Sequence, residues 1–109
     1  MALKINKEIK FTSGSTSSET LVFFNLQFLD KLNQVTSLFF LNEDAFKAGR
    51  DQVTPLDENL LAVASVNMEI PKDVFWGPKF MDRIHDKMKA EFERLLGENT
   101  VEIIKDPYS

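Results

Sequence analysis

The single histidine of the chain lies between two aspartates, in the order Asp82-x-x-His85-Asp86. Carboxylate and imidazole groups one helical turn apart are ligands that a divalent metal accepts. However, His85 borders an apolar stripe, no second cluster completes a coordination sphere, and Lys89 follows one turn later. We therefore predict a histidine at the boundary between core and solvent, and no metal site.

Other patterns of catalytic residues are weaker still. A serine or aspartate nucleophile needs a base, and His85 is the only imidazole. The four glycines, at positions 14, 49, 77 and 97, are isolated, so they form no phosphate-binding loop. Nothing in the sequence places two carboxylates opposite each other for hydrolysis. We predict no catalytic residue and no cofactor, which means a protein that is not an enzyme.

Composition and charge restrict the class of partner. The 109 residues are 43% hydrophobic and 28% charged, as expected for one globular domain, and the absence of cysteine excludes disulfides. The net charge is −4, and Lys4, Lys7 and Lys10 alternate between the faces of a strand, which argues against nucleic-acid binding. The opening residues lack the apolar stretch of a signal peptide, and no apolar run approaches the roughly 20 residues that cross a bilayer. The sequence therefore predicts a protein made in a cytoplasm, without nucleic-acid or membrane partners.

The chain begins with an extended segment that is apolar on one side, typical of a half-buried strand. The apolar side carries Leu3, Ile5, Ile9 and Phe11. Residues 12–20 are small and polar, which indicates a loop or a tether. A strand on such a tether pairs either within its own domain or with a neighbouring copy.

The strongest strand pattern covers residues 21–29. One face is continuously apolar, with Val22, Phe24, Leu26 and Phe28. Leu21 and Phe23 make one end of the strand apolar on the other face as well. A turn at residues 30–33 and a second strand at 35–41 complete a predicted hairpin.

A short helical turn is predicted after this hairpin. Asn42 suits the N-cap, and the two acidic residues that follow suit the first turn of a helix. Leu41 and Phe46 have the spacing of a hydrophobic staple, and Gly49 suits the left-handed residue that ends the turn. We interpret this turn as a lid over one end of the sheet, with Phe46 as its plug; the alternative is a contact with a partner.

In the second half of the chain, the sequence predicts a strand at residues 60–70, a helix, and a final strand at 101–104. Pro78 and Gly97 mark the ends of the helix, which carries one apolar stripe. The stripe consists of Met81, Ile84, Met88, Phe92 and Leu95. Just before the helix, Phe75 and Trp76 form the lip of a pocket, anchor a partner, or staple the helix start to the sheet.

The element order predicts an α+β fold: a mainly antiparallel sheet of about five strands, one long C-terminal helix packed on it, and the short capped turn. We divide the single domain into an N-terminal strand and tether at 1–19, a core at 20–104 and a tail at 105–109. The residues predicted to contact partners are Leu3, Ile5, Ile9, Phe11, Leu21, Phe23 and Trp76.

The segment TLVFFNLQFLDKLNQVTSLFFLNEDAFKAGRDQV, residues 20–53, resembles small structural proteins of tailed bacteriophages and prophages. The similarity extends in part to residues 78–104. Such proteins build the neck, tail or baseplate, so the resemblance implies a repeated virion subunit held by strand addition and surface packing, without catalytic residues. It also implies assembly in the host cytoplasm, with copies of itself and other virion proteins as partners. The alternative is a small cytoplasmic adaptor or regulatory domain that binds another protein.

Overall fold

A computed structural model describes residues 2–29, 32–68 and 80–105 of the chain. The elements in these ranges are β1 (Ala2–Ile5), β2 (Ile9–Lys10), β3 (Thr16–Ser17), β4 (Thr20–Leu29), β5 (Leu32–Phe40), α1 (Glu43–Lys47), α2 (Glu58–Ala64), β6 (Ser65–Met68), α3 (Phe80–Leu96) and β7 (Val101–Ile104).

Five of the strands form one sheet in the order β6-β5-β4-β1-β7, and every neighbouring pair is antiparallel. Strands β2 and β3 form a separate small ladder. The helix α3 covers one face of the large sheet, since its buried side chains share a core with those of the strands. The predicted α+β fold is therefore confirmed.

The predicted hairpin and capped turn are also present. Strands β4 and β5 pair along their whole length, from Leu21↔Phe40 to Leu29↔Leu32. The Asn42 side chain accepts a hydrogen bond from the backbone N–H of Ala45 at 2.7 Å, which satisfies one of the donors at the start of α1. Gly49 follows with a φ of +73°, a conformation that disfavours other residues.

The long helix α3 packs by the stripe that the sequence predicts. Ile84, Met88 and Phe92 are fully buried, whereas Leu95 is half-buried and Met81 is 40% exposed. The stripe is therefore narrower at its beginning than predicted. Gly97, with a φ of +113°, ends the helix as expected; Pro78 lies outside the described residues.

The prediction of a strand over residues 60–70 is wrong for its first half, which is α2. Leu60 and Ala64 have the alternating spacing of a strand, but they are also four residues apart and share one buried helical face. The helix is favoured because the Asp57 side chain accepts a hydrogen bond from the Asn59 N–H at 2.8 Å and caps its start. Ser65–Met68 forms the predicted strand, and residues 69 and 70 lie outside the described residues.

The predicted N-terminal strand is divided into β1 and β2 by residues 6–8. At this break the Asn6 N–H donates to the Thr100 carbonyl, and the Lys7 ammonium donates to the Leu96 carbonyl at 2.8 Å. Part of the segment predicted as a loop or tether forms β3, which pairs with β2 through Lys10↔Thr16.

Candidate interaction surface

The two faces of the large sheet have different coverings. Val22 and Phe39 are opposite each other in the β4–β5 ladder and belong to the core beneath α3. Their neighbours Leu21, Phe23 and Phe40 point to the opposite side, because side chains alternate along a strand. We call this opposite side the outer face.

Three phenylalanines on the outer face form a compact group. The ring of Phe46, from α1, lies 4.4 Å from that of Phe23 and 5.1 Å from that of Phe40, between centroids. The rings of Phe23 and Phe40 are 5.7 Å apart in an edge-to-face arrangement, a favourable aromatic geometry. We call Phe23, Phe40 and Phe46 the lid cluster; all three remain half-buried.

The lid cluster confirms that α1 packs on one end of the sheet with Phe46 between it and the strands. The half-buried state of the three rings means that each still presents apolar area on the surface. A partner contact at this turn, the alternative interpretation, stays a prediction.

An apolar row crosses the outer face from β5 to β7. Leu38 is opposite Phe23 in the β4–β5 ladder. The β1–β4 register, which pairs Leu3 with Val22, places Ala2 beside Phe23 at the next position. Ala2 in turn is opposite Ile104 of β7. We call Leu38, Phe23, Ala2 and Ile104 the apolar row. The first, second and fourth are half-buried, whereas Ala2 is fully buried, so the exposed apolar area lies at the two ends of the row.

The apolar row ends at the edge of the sheet. Strand β7 has the ladder with β1 on one side and, among the strands that the structure describes, is the last in the order of the sheet, so its other side has no partner within the described residues. Ile103 and Ile104 are both half-buried there. Backbone N–H and C=O groups along a sheet edge are a template on which another strand can pair. Lys4 and Glu102 flank the row, with 3.9 Å between the ammonium and the carboxylate.

The other end of the outer face is polar. Asn25 and Gln27 of β4 are exposed, and the amide of Gln34 donates to the Ser65 hydroxyl at 3.4 Å. The outer face therefore has an apolar end, which contains the lid cluster and the apolar row, and a polar end.

The structure places the predicted N-terminal contact residues inside the chain's own core. Leu3 and Ile5 are fully buried, and Ile9 and Phe11 are 4% and 2% exposed. Strand β1 has a partner strand on each side, β4 and β7. Pairing of β1 with a neighbouring copy would thus replace two ladders within the chain, and such an exchange stays a prediction.

Of the remaining predicted contact residues, Leu21 is 1% exposed and Phe23 belongs to the lid cluster. Trp76 and its neighbour Phe75 lie outside the described residues. Sequence reasoning did not identify Leu38, whose place opposite Phe23 depends on the register of the hairpin, or Ile104, whose place opposite Ala2 depends on strand order. The only local signal was the alternation of apolar residues within each strand.

The prediction that His85 lies at the boundary between core and solvent is wrong. The side chain is buried, with 1% of its surface exposed. Its Nδ1 is 2.7 Å from the Met81 carbonyl, and its ring packs edge-to-face on Phe24 at 4.9 Å. It directly follows Ile84 on the helix, so the face of α3 that meets the sheet is wider than the stripe alone. Asp82 and Asp86 point to solvent.

Within residues 2–29, 32–68 and 80–105, no three metal-ligating side chains come together as a metal site. None of the helices in these ranges is both long and apolar enough to cross a membrane. Comparison of the chain with protein-family models, with curated proteins and with solved structures finds no match.

Proposed function

We propose that the chain is a non-enzymatic structural subunit that associates with copies of itself or with neighbouring structural proteins through the outer face and the edge of β7. The observation that supports this proposal most directly is the register that links the lid cluster, through the apolar row, to β7, which is the last strand of the sheet within the described residues. Surfaces that combine apolar side chains with free backbone groups are suited to protein partners.

The association would use strand addition. A strand from the neighbour pairs with the main chain of β7, and its alternate side chains continue the apolar row beyond Ile104. A contact of one surface with a different surface repeats from copy to copy, and it closes as a ring or continues as a filament. This differs from exchange of β1, because it leaves both ladders of β1 in place.

The assignment to a bacteriophage particle rests on the resemblance of residues 20–53 to neck, tail and baseplate proteins. In that setting the subunit would assemble in the host cytoplasm and then remain in the virion. The part of the chain that carries the resemblance includes β4, β5 and α1, which together supply the lid cluster.

The test is the mass of the protein in solution, by light scattering coupled to gel filtration, over a wide range of concentration. We expect species larger than the monomer for the natural sequence, and a shift to monomer for Ile104→Lys, since a lysine at a strand edge opposes pairing. Leu56→Lys is the matched control, because Leu56 is 59% exposed and lies away from the apolar row. Circular dichroism establishes that both variants are folded.

The proposal fails if Ile104→Lys and Leu56→Lys assemble alike. A natural sequence that remains monomeric at every concentration, and in the presence of candidate virion partners, would instead favour the adaptor. A surface cleft of about 410 Å³ offers a site for that alternative. Its lining includes the buried Ile9 and Leu60 and the exposed Leu56.

A further inference from the structure

The backbone groups of β7 point alternately to the two sides of the strand. The Asn6 N–H donates to the Thr100 carbonyl at 2.6 Å, and these two residues are opposite each other one position beyond the end of the β1–β7 ladder. In an antiparallel ladder only every second pair of residues exchanges hydrogen bonds, so the next hydrogen-bonded pair is Lys4↔Glu102. The N–H and C=O groups of Glu102 therefore point to β1.

The backbone groups of Val101 and Ile103 point to the other side of β7, away from β1. On that side they have no hydrogen-bond partner within the described residues. An added antiparallel strand would bond to these two residues, and the pair between them, at Glu102, would not be hydrogen-bonded. Opposite residues come closest at such pairs, with about 4.5 Å between their Cα atoms. The added strand would thus place one side chain directly against that of Glu102.

The charge of Glu102 restricts what this side chain can be. The Glu102 side chain is 52% exposed on the outer face, and the Lys4 ammonium is 3.9 Å from its carboxylate, close to the 4 Å limit of an ion pair. Lys4 is opposite Glu102 at the wider, hydrogen-bonded kind of pair, so a lysine on the added strand would come closer. Opposite charges across a ladder are stabilising and like charges are destabilising. Glu102 therefore favours a basic residue and opposes an acidic one.

The neighbours of Glu102 require apolar residues on the added strand. Ile104 is half-buried on the outer face, Ile103 is half-buried on the core side, and Val101 is 3% exposed. In its own chain direction, the added strand would therefore read apolar, apolar, basic, apolar. Strand β1 has this order in Ala2–Ile5, with its basic residue opposite Glu102, so the ladder within the chain already shows such a strand paired with β7.

We propose that β7 receives a strand with the order apolar, apolar, basic, apolar from a neighbouring protein of different sequence, and that Glu102 selects the basic residue. Among the strands that the structure describes, only β1 has this order, and β1 already has a ladder on each side. Within these strands, a second copy therefore offers no free strand of this kind. The inference rests on the proposed strand addition and specifies the partner.

The experiment is a titration of the full chain with two capped peptides, TVVKVT and TVVEVT, followed by amide chemical shifts in two-dimensional NMR. We expect TVVKVT to give saturable shifts at Val101 and Ile103, with a dissociation constant on the order of millimolar. At low ionic strength TVVEVT should bind about fivefold more weakly, because its acidic residue is opposite Glu102. High salt should reduce this difference, since both charges are exposed to solvent.

The variant Glu102→Lys reverses the charge at the decisive position and should reverse the order of the two peptides. Asp51→Lys is the matched control: it makes the same change of net charge at an exposed residue, two positions before the segment that pairs with β5. Strands β4 and β1 separate β5 from β7, so Asp51→Lys should keep the preference of the natural sequence. Circular dichroism establishes that both variants are folded.

The outcomes separate this inference from the proposed function. If neither peptide gives saturable shifts at Val101 and Ile103, strand addition at β7 fails, and the inference fails with it. If both peptides bind equally, or if Glu102→Lys does not reverse their order, strand addition stands and the selection by Glu102 is overturned. Tighter binding of SVNMEI, the sequence of residues 65–70, than of TVVKVT would also overturn it, because the added strand would then be that of a second copy.

Discussion

The ring of Phe46 lies 4.4 Å from the ring of Phe23, and this contact joins the capped turn to the face of the sheet opposite the long helix. Through this contact the five-residue helix α1 packs on the sheet. So short a helix has little stability in isolation, because helix nucleation is unfavourable, and it persists through the packing of its one large side chain.

Removing this side chain should destabilise the fold. Phe46→Ala deletes contacts with both Phe23 and Phe40, and since Phe46 is half-buried we expect a loss of about 1–3 kcal/mol in the free energy of unfolding. Urea denaturation measures it. Leu56→Ala, at a side chain that is 59% exposed, should change stability by less than about 0.5 kcal/mol. Equal effects of the two substitutions would show that the lid cluster contributes nothing to folding.

The N-cap of α1 should be separable from its packing. Asn42→Ala removes the acceptor for the Ala45 N–H, and the expected loss is about 1 kcal/mol. Asn42→Asp keeps an acceptor at the same place and should retain most of the stability. The urea midpoints of the natural protein and the two variants test this prediction. It is contradicted if Asn42→Asp is as unstable as Asn42→Ala.

The end of α3 is held by a side chain from the opposite end of the sequence. Lys7 donates to the Leu96 carbonyl at 2.8 Å, where a positive charge interacts favourably with the helix dipole. We expect Lys7→Met to cost about 0.5 kcal/mol at low ionic strength, and less in high salt. Lys87→Met makes the same change of charge in the middle of α3 and should cost less. A cost for Lys7→Met that is independent of salt would exclude the electrostatic origin.

Thr20 offers a substitution that should not destabilise the protein. It is fully buried opposite Ile5, and its hydroxyl has no hydrogen-bond partner within the described ranges. Valine has nearly the same shape and no polar atom to leave unsatisfied, so Thr20→Val should be neutral or stabilising. Thermal unfolding checks this; a clear loss of stability would mean that the hydroxyl is hydrogen-bonded in solution.

Strand β1 pairs either with β7 of its own chain or with β7 of a neighbouring copy, and an introduced disulfide can distinguish the two. The chain has no cysteine of its own to interfere. Lys4 and Glu102 are opposite each other in the β1–β7 ladder, at a separation that a disulfide can bridge. The double substitution Lys4→Cys and Glu102→Cys should therefore give chains with an internal disulfide on oxidation, which run as single chains on a denaturing, non-reducing gel. Covalent dimers or longer chains on a non-reducing gel would show instead that β1 pairs with a neighbouring copy.

Local signals in the sequence were sufficient for several elements. The alternation in residues 21–29 predicts β4, and Asn42 with Gly49 predicts the limits of α1. The apolar spacing of Ile84, Met88 and Phe92 predicts the buried face of α3. In each case the residues that specify the element are close together in sequence.

The failures have a common physical origin in contacts between distant residues. Leu60 and Ala64 fit a strand and a helix equally well, and the packing of α2 against the rest of the fold, together with the cap at Asp57, decides between them. The position of β1 between β4 and β7, and so the apolar row across the outer face, depends on the order of strands. Periodicity within one segment contains no information on that order.

The ladder between β1 and β7 also has a kinetic consequence. It joins residues separated by almost the whole length of the described chain, so its closure has a large entropic cost and is expected to be late in folding. A chain in which this ladder has not yet formed leaves one side of β1 available to the β7 of another molecule. The protein concentration during refolding should therefore determine what fraction of the molecules exchange β7 with another copy.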